Sequence, residues 1–128
     1  MSCDKLVFDL SQEVEGSPNV FIRKDWINIL DNQTNTAIFT FDASLIKAMK
    51  VDYTIIRGNT VRTGSFVIVA STDGTGGNLA TSDTTATQNS STGVTLSAVE
   101  SSSTVTFRYS STSIATAGIM RYSVQRLG

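Results

Sequence analysis

The chain has 128 residues, enough for one domain with a real core, and its 10 basic and 11 acidic residues leave a formal charge of −1. That balance excludes the basic footprint of a nucleic-acid module, and no apolar run is long enough to span a bilayer as a helix. With no histidine and one cysteine, Cys3, the chain has no Ser–His–Asp or Cys–His pair, no thiolate zinc cluster and no internal disulfide.

The opening residues, MSCDKLVFDLSQEVEG, carry no basic stretch ahead of a long apolar core, so no signal peptide is expected. A single cysteine fits synthesis in a reducing cytoplasm. KLVFDLS reads as a strand that places Leu6, Phe8 and Leu10 on one side, a pattern suited to adding a strand to a neighbouring chain. EGSPN is a turn cluster, so residues 1–19 are expected to form an N-terminal arm and residues 20–128 the domain.

VFIRKDWINIL partly fits helical spacing, but its β-rich surroundings favour a long strand; NTAIFTF is a second. DASLIKAMK suits one helical turn with Asp42 as its N-cap. Strict alternation then sets in. Met49, Val51, Tyr53 and Ile55 oppose Lys50, Asp52 and Thr54, the mark of a strand with one wet face. SFVIVA is apolar on both sides, so it is expected to be covered on both faces or to meet a partner subunit. Between these strands, the NTVRT run flanked by Gly58 and Gly64 reads as a hairpin connection, the glycines serving positive-φ or bulge positions. Arg57 and Arg62 then form local salt bridges or contact an acidic partner.

Ser71 to Gly93 is a hydroxyl-rich segment with four glycines, expected to be a long loop interrupted by a brief edge strand near Thr84 to Thr87. VTLSAV and TVTFRY alternate cleanly around an ESSST hairpin turn, and Met120, Tyr122 and Val124 close the chain with a last strand. Eight or nine short strands and at most one helical turn describe an all-β, antiparallel, jelly-roll-like sandwich.

Chemistry is sparse. Asp42, Asp52, Asp73, Asp83 and Glu100 are carboxylates available for glycosidase-type work, but each reads as a turn residue or a solvated surface charge. DGTGGN lacks the Lys-Ser/Thr of a phosphate loop. Asp73, Asn78 and Asp83 match no calcium pattern, and the sequons at Asn32 and Asn89 read as incidental. No catalytic residue, cofactor or metal is expected. Oligomerisation is, because SFVIVA together with Trp26, Ile27, Ile29 and Leu30 offers more apolar surface than one small sandwich encloses.

Five short segments stand in a recognisable order: Asn32–Gln33, Tyr53–Arg57, Arg62–Gly64, Thr92–Leu96 and Met120–Tyr122. Across residues 23–127 this order resembles the β-sandwich module of tailed-bacteriophage virion proteins, found in tail-fibre C-terminal domains and in small stand-alone decoration proteins. The resemblance implies a non-enzymatic structural role and symmetric assembly, with a trimer favoured, and it transfers no active-site residue. No shaft precedes the module here, which favours a capsid decoration (cement) protein on the outside of the particle over a fibre tip that contacts a host-surface receptor. The expected partners are further copies of the chain and other virion proteins, above all the major capsid protein, with neither nucleic acid nor membrane. Leu6, Phe8, Leu10, Trp26, Arg57 and Arg62 are the candidate partner contacts.

Overall fold

The computed structural model describes residues 22–70 and 79–127. The arm at residues 1–19, with Cys3, Leu6, Phe8 and Leu10, lies outside them, as do Asp73 and Asn78. Eight strands fill the described chain: β1 (Ile22–Ile29), β2 (Thr36–Asp42), β3 (Ala48–Arg57), β4 (Thr60–Ala70), β5 (Leu79–Gln88), β6 (Val94–Ser101), β7 (Thr104–Ser111) and β8 (Gly118–Arg126). All pair antiparallel, in a five-stranded sheet β1-β8-β3-β4-β5 and a three-stranded sheet β2-β7-β6. β1 with β8 and β2 with β7 nest first-with-last, as in a jelly roll. The order departs from it where β4 and β5 stay beside β3.

Alternation assigns the faces. Met49, Val51, Tyr53 and Ile55 of β3 and Phe66, Ile68 and Ala70 of β4 are buried, and they meet Phe39, Phe41, Phe107 and Tyr109 of the smaller sheet. Tilted ring pairs cross the core, with Phe39 5.1 Å and Phe66 5.0 Å from Phe107 between centroids. Ile38 and Phe39 are adjacent yet both buried. The β2–β7 register shifts between Ala37 and Phe39, and a bulge of this kind turns two consecutive side chains the same way.

The turns follow their residues. Gly58 and Asn59 alone join β3 to β4, with Gly58 at φ +61° and no positive φ at Asn59, the pattern of a type II′ hairpin. NTVRT is therefore not a five-residue connection: Thr60 onward belongs to β4, and Gly64 sits at the register shift between β4 and β5. Ser102 and Ser103 turn β6 into β7 with both φ positive. Asp42 ends β2 in a single turn, its carbonyl accepting from the amides of Leu45 and Ile46 and its carboxylate from Ser44.

Two expectations change. β5 runs for ten residues where a brief edge strand was expected, and every residue from Ala80 to Gln88 is exposed. A strand wet on both faces carries no alternation to detect. SFVIVA is not covered on both sides by this chain: Val67 is partly buried and Val69 is exposed on the outer face.

Candidate functional site

Four loops gather at one end of the sandwich, and Arg57 ties three of them together. It closes β3 on the inward parity of Tyr53 and Ile55 and is 1% exposed. Nε donates to the Thr116 carbonyl at 2.8 Å, and Nη1 to the Thr92 carbonyl at 3.1 Å and to Thr112 Oγ1 at 3.4 Å. Nη2 donates to Asp31 Oδ1 at 2.7 Å and to the Thr112 carbonyl at 2.6 Å. All five guanidinium donors are thus used inside the chain. Asp31 Oδ1 also accepts from the Ile114 amide at 2.8 Å. That bond, ahead of those from Thr116, Ala115 and Arg57, holds the Asp31 carboxyl below its ordinary value of 3.8 against the opposing effect of desolvation. Gly93 completes the knot at φ +68°: a Cβ there would meet Thr112 Oγ1 at 2.3 Å and Arg57 Nη1 at 3.2 Å.

Arg62 makes a second knot. It enters from β4, is 9% exposed, and donates to the Val94 carbonyl and to the Tyr53 hydroxyl, both at 2.8 Å. Nη2 also pairs with Asp83 Oδ2, and the guanidinium lies 5.3 Å from the Tyr53 ring centroid. Tyr53 donates in turn to Asp83 Oδ1 at 2.6 Å. Burial, followed by that bond to Asp83, pushes the Tyr53 hydroxyl above its ordinary value of 10.0, while the Arg62 charge pulls the other way.

Local salt bridges were expected for both arginines, and both are present. Each side chain is buried, and its printed bonds go to groups within the chain. Glu100 is likewise no solvated acid. It lies 8% exposed on the inward face of β6, and neither carboxylate oxygen has a hydrogen-bond partner. Asp83 is an ion-pair partner rather than a free surface charge. Trp26 is on the outer face of β1, 37% exposed. The candidate contacts that fall within the described residues therefore do not converge on one site.

What does converge is the outer face of the five-stranded sheet. Register sets one row as Trp26, Arg121, Thr54 and Thr63, each directly beside the next on β1, β8, β3 and β4. The adjacent row is Lys24, Ser123, Asp52 and Ser65, continued by Thr84 on β5. Lys24, Arg121, Ser123, Thr54, Asp52, Thr63 and Ser65 of these rows line a shallow concavity of about 500 Å³ on the solvent side, within the size range of small-molecule sites; Trp26 and Thr84 lie outside its lining. Asp52 accepts from Ser65 Oγ at 2.6 Å and lies 3.8 Å from Lys50 Nζ. Lys24 and Arg121 make no hydrogen bond or ion pair with a described residue.

No protein-family profile, curated protein or solved structure matches the chain.

The buried arginines and the rows had a signal in the sequence. Arg57 continues the odd-numbered inward face of β3, Arg62 the even-numbered inward face of β4, and Glu100 that of Val94 and Leu96. The rows needed more. Alternation marks Thr54, Asp52, Arg121 and Ser123 as wet, but only pairing register sets them side by side.

Proposed function

We propose that the chain is a non-enzymatic structural protein of a tailed-phage virion, attached to the outside of the particle as a capsid decoration protein and assembled as a symmetric oligomer, with a trimer favoured. The observation that carries this reading is β5. It is a ten-residue strand that, among the described residues, pairs with β4 alone and is exposed from Ala80 to Gln88. A strand of that length with one edge that no described strand covers is a template for another chain. Its hydroxyl-rich sequence, LATSDTTATQ, has no lysine or proline to block pairing.

The ordered segments that resemble phage sandwich modules support the reading from a second side. Four of the five are linked through the arginine knots: Arg57 bonds Asp31 beside Asn32–Gln33 and also Thr92, while Arg62 bonds Tyr53 and Val94. These patterns therefore specify a fold and do not describe a catalytic centre.

Gold-labelled antibody on intact particles is the test. Dense label over the capsid surface is the expected result. Label at the tail alone would replace decoration with the fibre-tip reading, and unlabelled particles would overturn both.

A further inference from the structure

We infer that the open flank between β5 and β6 receives an added strand, and that residues 4–12 of a neighbouring copy supply it. The inference rests on the symmetric assembly proposed above and names its joint. Five strands face three, and β5 and β6 stand at the same side of the sandwich. Thr81 and Thr85 carry the inward parity of β5 through their pairing with β4, yet both are exposed. Opposite them, β6 pairs among the described strands with β7 alone, so no described strand covers its second backbone edge. Leu79 and Ala98 are only partly buried where the core meets this flank. The place beside β6 and beneath β5 suits one more strand.

The flank also specifies what fills it. Glu100, 8% exposed on the inward face of β6, has both carboxylate oxygens without a partner. Towards the start of β6 the same is true of Arg62 Nε and Thr92 Oγ1. Buried polar groups are normally paired. The added strand therefore needs a donor at the Glu100 end, an acceptor at the Arg62 end and apolar side chains between. Residues 1–21 and 71–78 are the segments outside the described residues, apart from Gly128. The second, STDGTGGN, has no apolar side chain. The first spaces Asp4, Leu6, Phe8, Leu10 and Gln12 two apart, one face of an extended strand. Laid parallel to β6 with Leu6 beside Val94, that face turns Asp4 towards Arg62 and Thr92. Phe8 and Leu10 then lie beside Leu96 and Ala98, and the Gln12 amide beside Glu100. The antiparallel alternative sets Asp4 against Glu100, two acids together. Ile22, where this segment joins β1, is on the edge of the larger sheet farthest from β5, so the flank faces a neighbour. Donation from each copy to the next is a head-to-tail contact, which closes into a ring.

The test replaces Cys3, the only cysteine, by serine and introduces Ser11→Cys with Val99→Cys, a facing pair in the proposed register. Oxidation should link chain to chain on a non-reducing gel. Ser11→Cys with Thr95→Cys, four residues out of register, should not. Deleting residues 2–12 should reduce the sedimenting mass to one copy, and Glu100→Met should weaken assembly at least fivefold although it steadies the single fold. Links within one chain only, equal linking by both pairs, or full mass after the deletion would each overturn the inference. A parent chain that sediments as one copy would overturn the assembly on which it rests. Particles left unlabelled while the cross-link forms would sink only the decoration reading.

Discussion

A single side chain decides the geometry of one end of this molecule. Arg57 satisfies three backbone carbonyls from two loops and a carboxylate from a third, and a buried carbonyl left without its donor costs about 1–3 kcal/mol. Arg57→Met should therefore lower stability by at least about 3 kcal/mol, read as a shifted urea midpoint. Arg57→Lys should recover little, because a lysine presents its donors from one nitrogen and cannot span three loops. Glu100 is the opposite case. Both its oxygens are buried without a partner, so Glu100→Met should stabilise by about 1–3 kcal/mol in the same assay. Tyr53 gives a pH signature. Its hydroxyl is raised above 10.0, so the folded state holds that proton more tightly than the unfolded chain does. Its contribution is fully present below pH 10 and declines as pH rises through the higher folded value. Urea midpoints from pH 9 to 12 should fall less steeply in Tyr53→Phe than in the parent.

At the level of elements, what was legible depended on whether a strand has two different faces. β3, β6, β7 and β8 alternate because one side packs on the core and the other meets water, and the sequence places them closely. β5 has little such contrast: among the described residues it pairs with β4 alone, and every residue after Leu79 is exposed. Only its threonine content spoke for a strand, which is why a ten-residue element read as a brief one. The β3–β4 connection is shorter than the sequence pattern suggests for a related reason. Arg62 carries the charge of a turn residue, yet it keeps the inward parity of Phe66 and Ile68 within β4. The outer-face rows were legible only as wet positions, since neighbours across a sheet are set by register. Ser82 and Thr84 lie on the outer face of β5, opposite Val67 and Ser65. If β5 is the edge that joins copies, Ser82→Lys with Thr84→Lys should leave the fold intact and reduce the sedimenting mass to that of a smaller species. An unchanged mass would move the interface elsewhere.

For the whole molecule, the two ends of the sandwich differ in how they are held. At the Arg57 end, Asp31 binds the loop that contains Ile114 and Thr116, and its folded pKa is depressed below 3.8. The sign is that of a paired carboxylate: the stabilisation is present above pH 3.8 and is lost as pH falls through the lower folded value. Melting temperatures between pH 2 and 5 should drop less for Asp31→Asn, which begins less stable, than for the parent. Asp42, held low by Ser44, adds a term of the same sign at the opposite end, so the variant should flatten the acid limb without abolishing it. At that opposite end, the hairpin at Ser102 and Ser103 is tied to the β2–β3 turn by a bond from the Ala43 amide to the Ser103 carbonyl, and no arginine reaches it among the bonds described above. The asymmetry matters for anyone wishing to carry cargo on this scaffold. A peptide spliced between Ser102 and Ser103 leaves every arginine bond in place, whereas the same splice after Thr112 pulls apart the carbonyls that Arg57 gathers. The molecule has one end that can be written on and one that must be left as it is.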